Sequence, residues 1–158
     1  MPVKMNPRNK KLLYLVVIYL LTLQIGCSQL DVAVNMSDKI NRSLERITEN
    51  EFVEMKNLTD DYDWDTMHVI LPYTNLDEYM KKCKDDGYTL SWYGNKDVKI
   101  EYDDSVVLLL FASGHKVSVY AEIDREKCPI PFVDIVNELG KNKFYIDDSK
   151  FRISKKIN

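Results

Sequence analysis

The side chains best suited to chemistry in this chain are few, and their spacing limits what they can do. Asp60, Asp61, Asp63 and Asp65 crowd into one short segment and suggest hard-cation binding through oxygen ligands. Taken as an EF-hand loop from Asp61, the series places aspartate at positions 1, 3 and 5. It then has Thr66 where glycine makes the sharp turn, and Pro72 where a bidentate glutamate closes the site. The expectation is a solvated turn whose carboxylates cap backbone amides. Nucleophilic catalysis needs an activated serine or cysteine, a histidine base and an orienting carboxylate. His68 falls within a β-rich run, and His115 follows Gly114 in a Ser-Gly-His turn. The remaining thiol–imidazole pairing is Cys128 with His115. No G-x-S-x-G, C-x-x-C or H-E-x-x-H spacing occurs, and five glycines leave no glycine-rich phosphate loop. The residues therefore assign no catalytic group, no metal ligand and no cofactor.

Aromatic side chains are more informative. The region from Tyr62 to Tyr120 is rich in tyrosine and tryptophan, rings favoured at interfaces because one end is apolar and the other wet. Tyr62, Trp64, Tyr73 and Trp92, together with Asp65, form the candidate binding surface. The alternative is that these rings fill a small core with their polar atoms reaching water.

The N-terminal residues carry an address. Lys4, Arg8, Lys10 and Lys11 precede an apolar run at 12–25 (LLYLVVIYLLTLQI), closed by Gly26 and Cys27. A basic start and a run of this length make an export signal, and the run is shorter than the roughly 18 residues of a committed membrane span. A small residue followed by cysteine at that point resembles the lipobox of bacterial lipoproteins, although Gln24 stands where that family usually has leucine. The resemblance implies acylation of Cys27 and cleavage before it. Residues 1–26 are then the signal peptide, 27–36 the lipidated N-terminus and tether, and 37–158 one globular domain. Loss of the four basic signal residues takes the positive count from 22 to 18 against 25 acidic residues, a net charge of −7. Such a domain lacks the basic stripe that nucleic acid requires. With Cys27 given to lipid, Cys83 and Cys128 remain in an oxidising compartment, either as a disulfide or as two buried thiols. A bridge would contribute about 4 kcal/mol in the chain-entropy model. Three N-x-S/T triplets begin at Asn35, Asn41 and Asn57, and in a bacterial lipoprotein they are chance.

These groups need elements to hold them. Ser37 as N-cap with Ile40, Leu44 and Ile47 predicts a helix. Residues 51–57 read as helix continuation or edge strand, and 57–65 as a loop. Residues 67–71 (MHVIL) form a strand stopped by Pro72. Thr74 or Asn75 caps a helix bearing Leu76, Tyr79, Met80 and Cys83 on one face, with Gly87 as its stop. Strands are predicted at 88–93 and 98–102. The apolar run 106–112 (VVLLLFA) should be the central strand, covered on both sides. Residues 116–123 alternate as a strand with one wet or semi-wet face. A helix follows from Phe132 to a stop at Gly140, and then a hairpin across Asp147, Asp148 and Ser149. The order predicts an α+β domain with a mainly antiparallel sheet of about five strands and two to three packed helices.

The pattern D-W-D-x-x-x-V-x-x-P-Y-T at 63–74, followed by a helix and then D-D-S-V-V-L-L-L-F, also resembles a set of small lipoproteins of low-GC and gut bacteria. Trp64, Asp65, Pro72 and Tyr73 are the matching positions. That resemblance implies an envelope lipoprotein and no particular activity. The expectation is a lipid-anchored domain facing outside the cytoplasm that binds a protein partner without turnover, as an immunity or exclusion protein would. The alternatives are an envelope enzyme or small-ligand binder, and a structural envelope component.

Overall fold

Residues 106–112 lie at the centre of the fold, as their unbroken apolarity predicts. All seven are buried. The computed structural model describes residues 32–47, 52–93 and 98–152; the signal segment, Cys27 and residues 28–31 lie outside them. In chain order the elements are β1 (Val34–Asn35), α1 (Ser37–Glu45), β2 (Phe52–Glu54), a single helical turn α2 (Met55–Leu58), β3 (Thr66–Ile70) and α3 (Leu76–Asp85). There follow β4 (Val106–Ser113), β5 (Lys116–Asp124), α4 (Phe132–Leu139), β6 (Lys143–Tyr145) and β7 (Lys150–Arg152), with 3-10 turns at Lys99–Glu101 and Ile146–Asp148. The main sheet has the order β1-β5-β4-β3-β6, and β2 and β7 form a separate antiparallel ribbon. Every pairing in the main sheet is antiparallel except β1 with β5. The class is α+β, with five strands in the main sheet.

Alternation along β4 splits the core into two layers. Val107, Leu109 and Phe111 face one layer, which α1 covers through Ile40 and Leu44, the ribbon through Val53 and Phe151, and α4 through Phe132. Leu108, Leu110 and Ala112 face the other, covered by Leu76, Tyr79 and Cys83 of α3 and by Leu90, Trp92, Val98 and Ile100. A strand wet on neither face is what a run without polar positions requires.

Caps and stops follow local chemistry. Asn75 caps α3, its Oδ1 accepting the Glu78 amide at 2.9 Å, and Gly140 ends α4 with φ of 60°. α1 starts differently from expectation. Ser37 is its first helical residue, and Asn35 Oδ1 accepts both the Ser37 amide (2.9 Å) and hydroxyl (2.6 Å).

Several expectations are corrected. The tether ends sooner than 36, because Val34–Asn35 is a strand and Ala33 and Met36 are buried. Residues 52–58 divide into strand and helical turn. Residues 88–93 and 98–102 are not strands: Leu90, Trp92, Val98 and Ile100 lie across the sheet face, and only Ser91 makes an isolated bridge, to Lys116. Their alternation reflects packing on a layer rather than pairing in one. β6 and β7 do not form a hairpin. The turn at Ile146–Asp148, held by Ser149 Oγ on the Ile146 carbonyl at 2.7 Å, sends β6 to β3 and β7 to β2. β5 keeps the semi-wet face at Ser118 and Glu122, which are half-buried, but not at Tyr120, which is buried: a bulge opposite Phe111 and Ala112 turns Val117 and Val119 to opposite layers.

β1 covers the outer edge of β5 only at Val119 and Tyr120. Beyond that, α1 supplies side chains in place of a strand. Ser37 Oγ accepts the Glu122 amide (2.9 Å), Asn41 Nδ2 donates to the Glu122 carbonyl (2.8 Å), and Asn41 Oδ1 accepts the Asp124 amide (3.1 Å). Asn41→Ala strands two partly buried backbone groups and should cost about 2 kcal/mol. Urea unfolding checks this as a lower midpoint at unchanged slope.

Candidate functional site

The predicted binding residues are not brought together. Trp64 and Asp65 precede β3 and Tyr73 follows it, which separates them by on the order of 25 Å along the strand. Trp64 is buried, edge-on to Phe111 with ring centroids 5.1 Å apart. Its Nε1 donates to Thr59 Oγ1 at 2.6 Å, and that hydroxyl donates to the Met55 carbonyl at 2.9 Å. Tyr62 packs half-buried on the same layer. Trp92 lies in the opposite layer, 4.9 Å from the Tyr120 ring. Asp65 Oδ2 accepts the Gly114 amide at 2.7 Å and so holds the β4–β5 turn. Both tryptophans are core because their large apolar area gains most from burial. Of the five residues, only Tyr73 presents an exposed ring.

Tyr73 is held in an uncommon state. Its φ is 61°, the left-handed region that turns usually reserve for glycine. Pro72 before it fixes the first corner of the turn, and Thr74 Oγ1 closes it by donating to the Leu71 carbonyl at 2.7 Å. The Tyr73 amide donates to the carbonyl of the fully buried Ile100 at 2.7 Å. That contact draws in the 3-10 turn Lys99–Glu101, which Tyr102 follows. Glu101 Oε1 in turn accepts the Leu76 amide at the start of α3 (3.0 Å). Two tyrosines, 65% and 66% exposed, thus flank one backbone junction fixed to the core. The sequence marks Tyr73 through its Pro-Tyr turn; Tyr102 reads only as a strand end.

A second cluster is buried. His68 on β3 lies wholly inside, its Nδ1 3.0 Å from the Tyr79 hydroxyl. Nε2 has no hydrogen-bond partner among the described residues. Tyr88 lies 5.8 Å from the imidazole, centroid to centroid, with Lys143 Nζ 4.3 Å over the phenol ring. Burial, then the Lys143 charge, lower the His68 pKa to about 4 against the pull of Asp65. Burial, then Cys83, push the Tyr79 hydroxyl up; Tyr88 rises for the same reasons. The imidazole is thereby kept neutral and sealed from solvent, a core histidine among hydroxyls.

The other candidate groups do not converge. Asp61 and Asp60 turn to Lys39 on α1, at 2.9 and 3.5 Å, while Asp65 turns to the β4–β5 hairpin. Among the described residues no group of three or more His, Cys, Asp or Glu side chains could hold a metal ion. No disulfide joins Cys83 and Cys128, because Cys83 packs in the α3 layer and Cys128 against the α1/α4 layer, across the sheet. Cys128 and His115 lie beyond opposite ends of the nine-residue β5, on the order of 30 Å apart. An open hollow of about 420 Å³ lies between the Asp104–Ser105 segment and the start of α4.

Neither the known families, the curated proteins nor the solved structures offer a match to this chain.

His68 makes a prediction about pH. Its folded pKa lies below the ordinary 6.5, so folding favours the neutral ring. That stabilisation is intact above pH 6.5 and is lost as pH falls toward 4, in all about 3 kcal/mol. Unfolding free energies at pH 7 and pH 4 should fall more steeply for wild type than for His68→Leu, by that difference.

Proposed function

We propose that this chain is a bacterial envelope lipoprotein, anchored through Cys27, whose domain binds a protein partner through Tyr73 and Tyr102 without turnover. The observation that supports the binding reading is the Tyr73 turn. A left-handed backbone costs a β-carbon-bearing residue about 1–2 kcal/mol, and glycine would avoid that cost. At 65% exposure Tyr73 leaves most of its ring in water, so burial is a weak reason for the fold to keep a tyrosine at this position. Strain held by a rigid junction beneath an exposed aromatic suits a preformed recognition point. Tyr102, two residues beyond the Ile100 carbonyl that holds the Tyr73 amide, adds a second exposed ring.

Against turnover stands the placement of the bases: His68 is sealed in the core and His115 lies far from Cys128. The anchoring reading is supported by the basic start, the apolar run and Gly26-Cys27. A tethered acidic domain that captures an incoming macromolecule would act as immunity and exclusion proteins do.

Two experiments test this. Lipid labelling with cell fractionation should find the wild type acylated and in the membrane, and Cys27→Ala unlabelled; an unlabelled wild type overturns the anchor. Tyr73→Gly separates binding from folding. It should leave stability equal or raise it by up to about 1 kcal/mol, while removing about 2 kcal/mol of partner affinity, roughly thirtyfold in Kd. The readout is a photo-crosslinker at position 102 in intact cells, where a discrete protein adduct should form and vanish in the Tyr73→Gly chain. Absence of any adduct from 102 overturns the binding face.

A further inference from the structure

β1 runs parallel to β5, which fixes the end of the sheet at which the chain comes in from Cys27. That end carries the β4–β5 turn at Gly114, with Ser91 bridged to Lys116. Tyr73, the Lys99–Glu101 turn and the Val106–Asp124 pair lie at the other. β5 alone spans nine residues, so the two ends are on the order of 30 Å apart.

The incoming end has exposed apolar side chains. Val32 is 57% exposed, Val34 39% and Tyr93 49%, and the Ala33 amide donates to the Tyr93 carbonyl at 2.9 Å, which ties the two segments that carry them. Only residues 28–31 separate Cys27 from Val32. Fully extended, the steps from Cys27 to Val32 reach at most about 18 Å, and the headgroup layer of a leaflet takes up about 5–7 Å of that.

Resting on the acylation of Cys27 proposed above, we infer that Val32, Val34 and Tyr93 seat the incoming end of the sheet on the lipid surface, with Tyr73 and Tyr102 facing away from it. The occupant of this patch is the membrane interface. Tyrosine suits that layer, because its ring is apolar and its hydroxyl stays hydrated. Charge does not do this work: a domain of net −7 is repelled by anionic headgroups, so short-range apolar contact within reach of the anchor must hold the orientation.

The test uses the full chain in the membranes of cells expressing it. p-Benzoylphenylalanine replaces Tyr93 in one variant and Tyr102 in another, and mass spectrometry after irradiation reads both lipid adducts and Cys27 acylation. Position 93 should give phospholipid adducts at least tenfold above position 102, and Val32→Asp with Val34→Asp should reduce them severalfold. An acylated chain with no lipid adduct at 93, or with equal yields at 93 and 102, overturns the seating and leaves the anchor standing. A chain unacylated at Cys27 overturns both. A protein adduct at 93 in place of lipid makes this end a protein contact and rejects the inference.

Discussion

The outer edge of β5 is where the fold would otherwise remain open. An edge strand must pair, be covered or meet water, and among the described residues this edge pairs only with β1 at Val119 and Tyr120 and with Ser91 at Lys116. Three side chains of a short segment complete it. Asn35 sets the first turn of α1, Ser37 and Asn41 reach from that helix to the backbone of Glu122 and Asp124, and Ile40 and Leu44 are thereby laid on β4 and β5. The helix is thus placed by polar bonds at one face and apolar burial at the other. The asparagines that read as chance glycosylation triplets at 35 and 41 are structural.

β4 supplies the second constraint. Because it is apolar on both faces, each face needs its own cover, and the chain devotes its aromatic residues to that. Trp64 closes one layer over Phe111, and Trp92 the other over Tyr120. The exposed rings include Phe52, Tyr73, Tyr93, Tyr102 and Tyr145, and of these Tyr73 sits at a positive φ. The buried His68, with Tyr79 and Tyr88, is the polar exception beneath α3, and it ties the stability of that layer to pH.

Elements whose signals are local were legible in the sequence. β4 follows from seven apolar residues, α3 from Asn75 and its apolar face, α4 from its spacing and Gly140, and the turn at Tyr73 from Pro72. What was not legible depends on partners distant in sequence. Residues 88–93 alternate like a strand because alternate side chains contact the sheet, and no periodicity tells face from edge. The ladders of β6 and β7 differ because one buried serine, Ser149, tightens the turn between them. The bulge in β5 leaves no mark on the alternation of its valines. The tryptophans read equally well as interface or core, since burial depends on what the fold places above them. Sheet faces likewise separate Cys83 from Cys128, and spacing carries no information about faces.

β7 has a consequence for the order in which this domain becomes whole. Phe151 stacks edge-on with both Phe132 and Phe144, at 5.4 and 5.5 Å, and its strand is the ladder partner of β2 among the described residues, nearly a hundred positions earlier. Until position 151 has emerged, the layer beneath α1 lacks its closing ring and β2 lacks its β7 ladder. A chain delivered from its N-terminus, whether by a ribosome or through a translocation channel, therefore holds that layer incomplete until β7 has passed. Closure is then a late event, with the N-terminal segment already delivered and waiting.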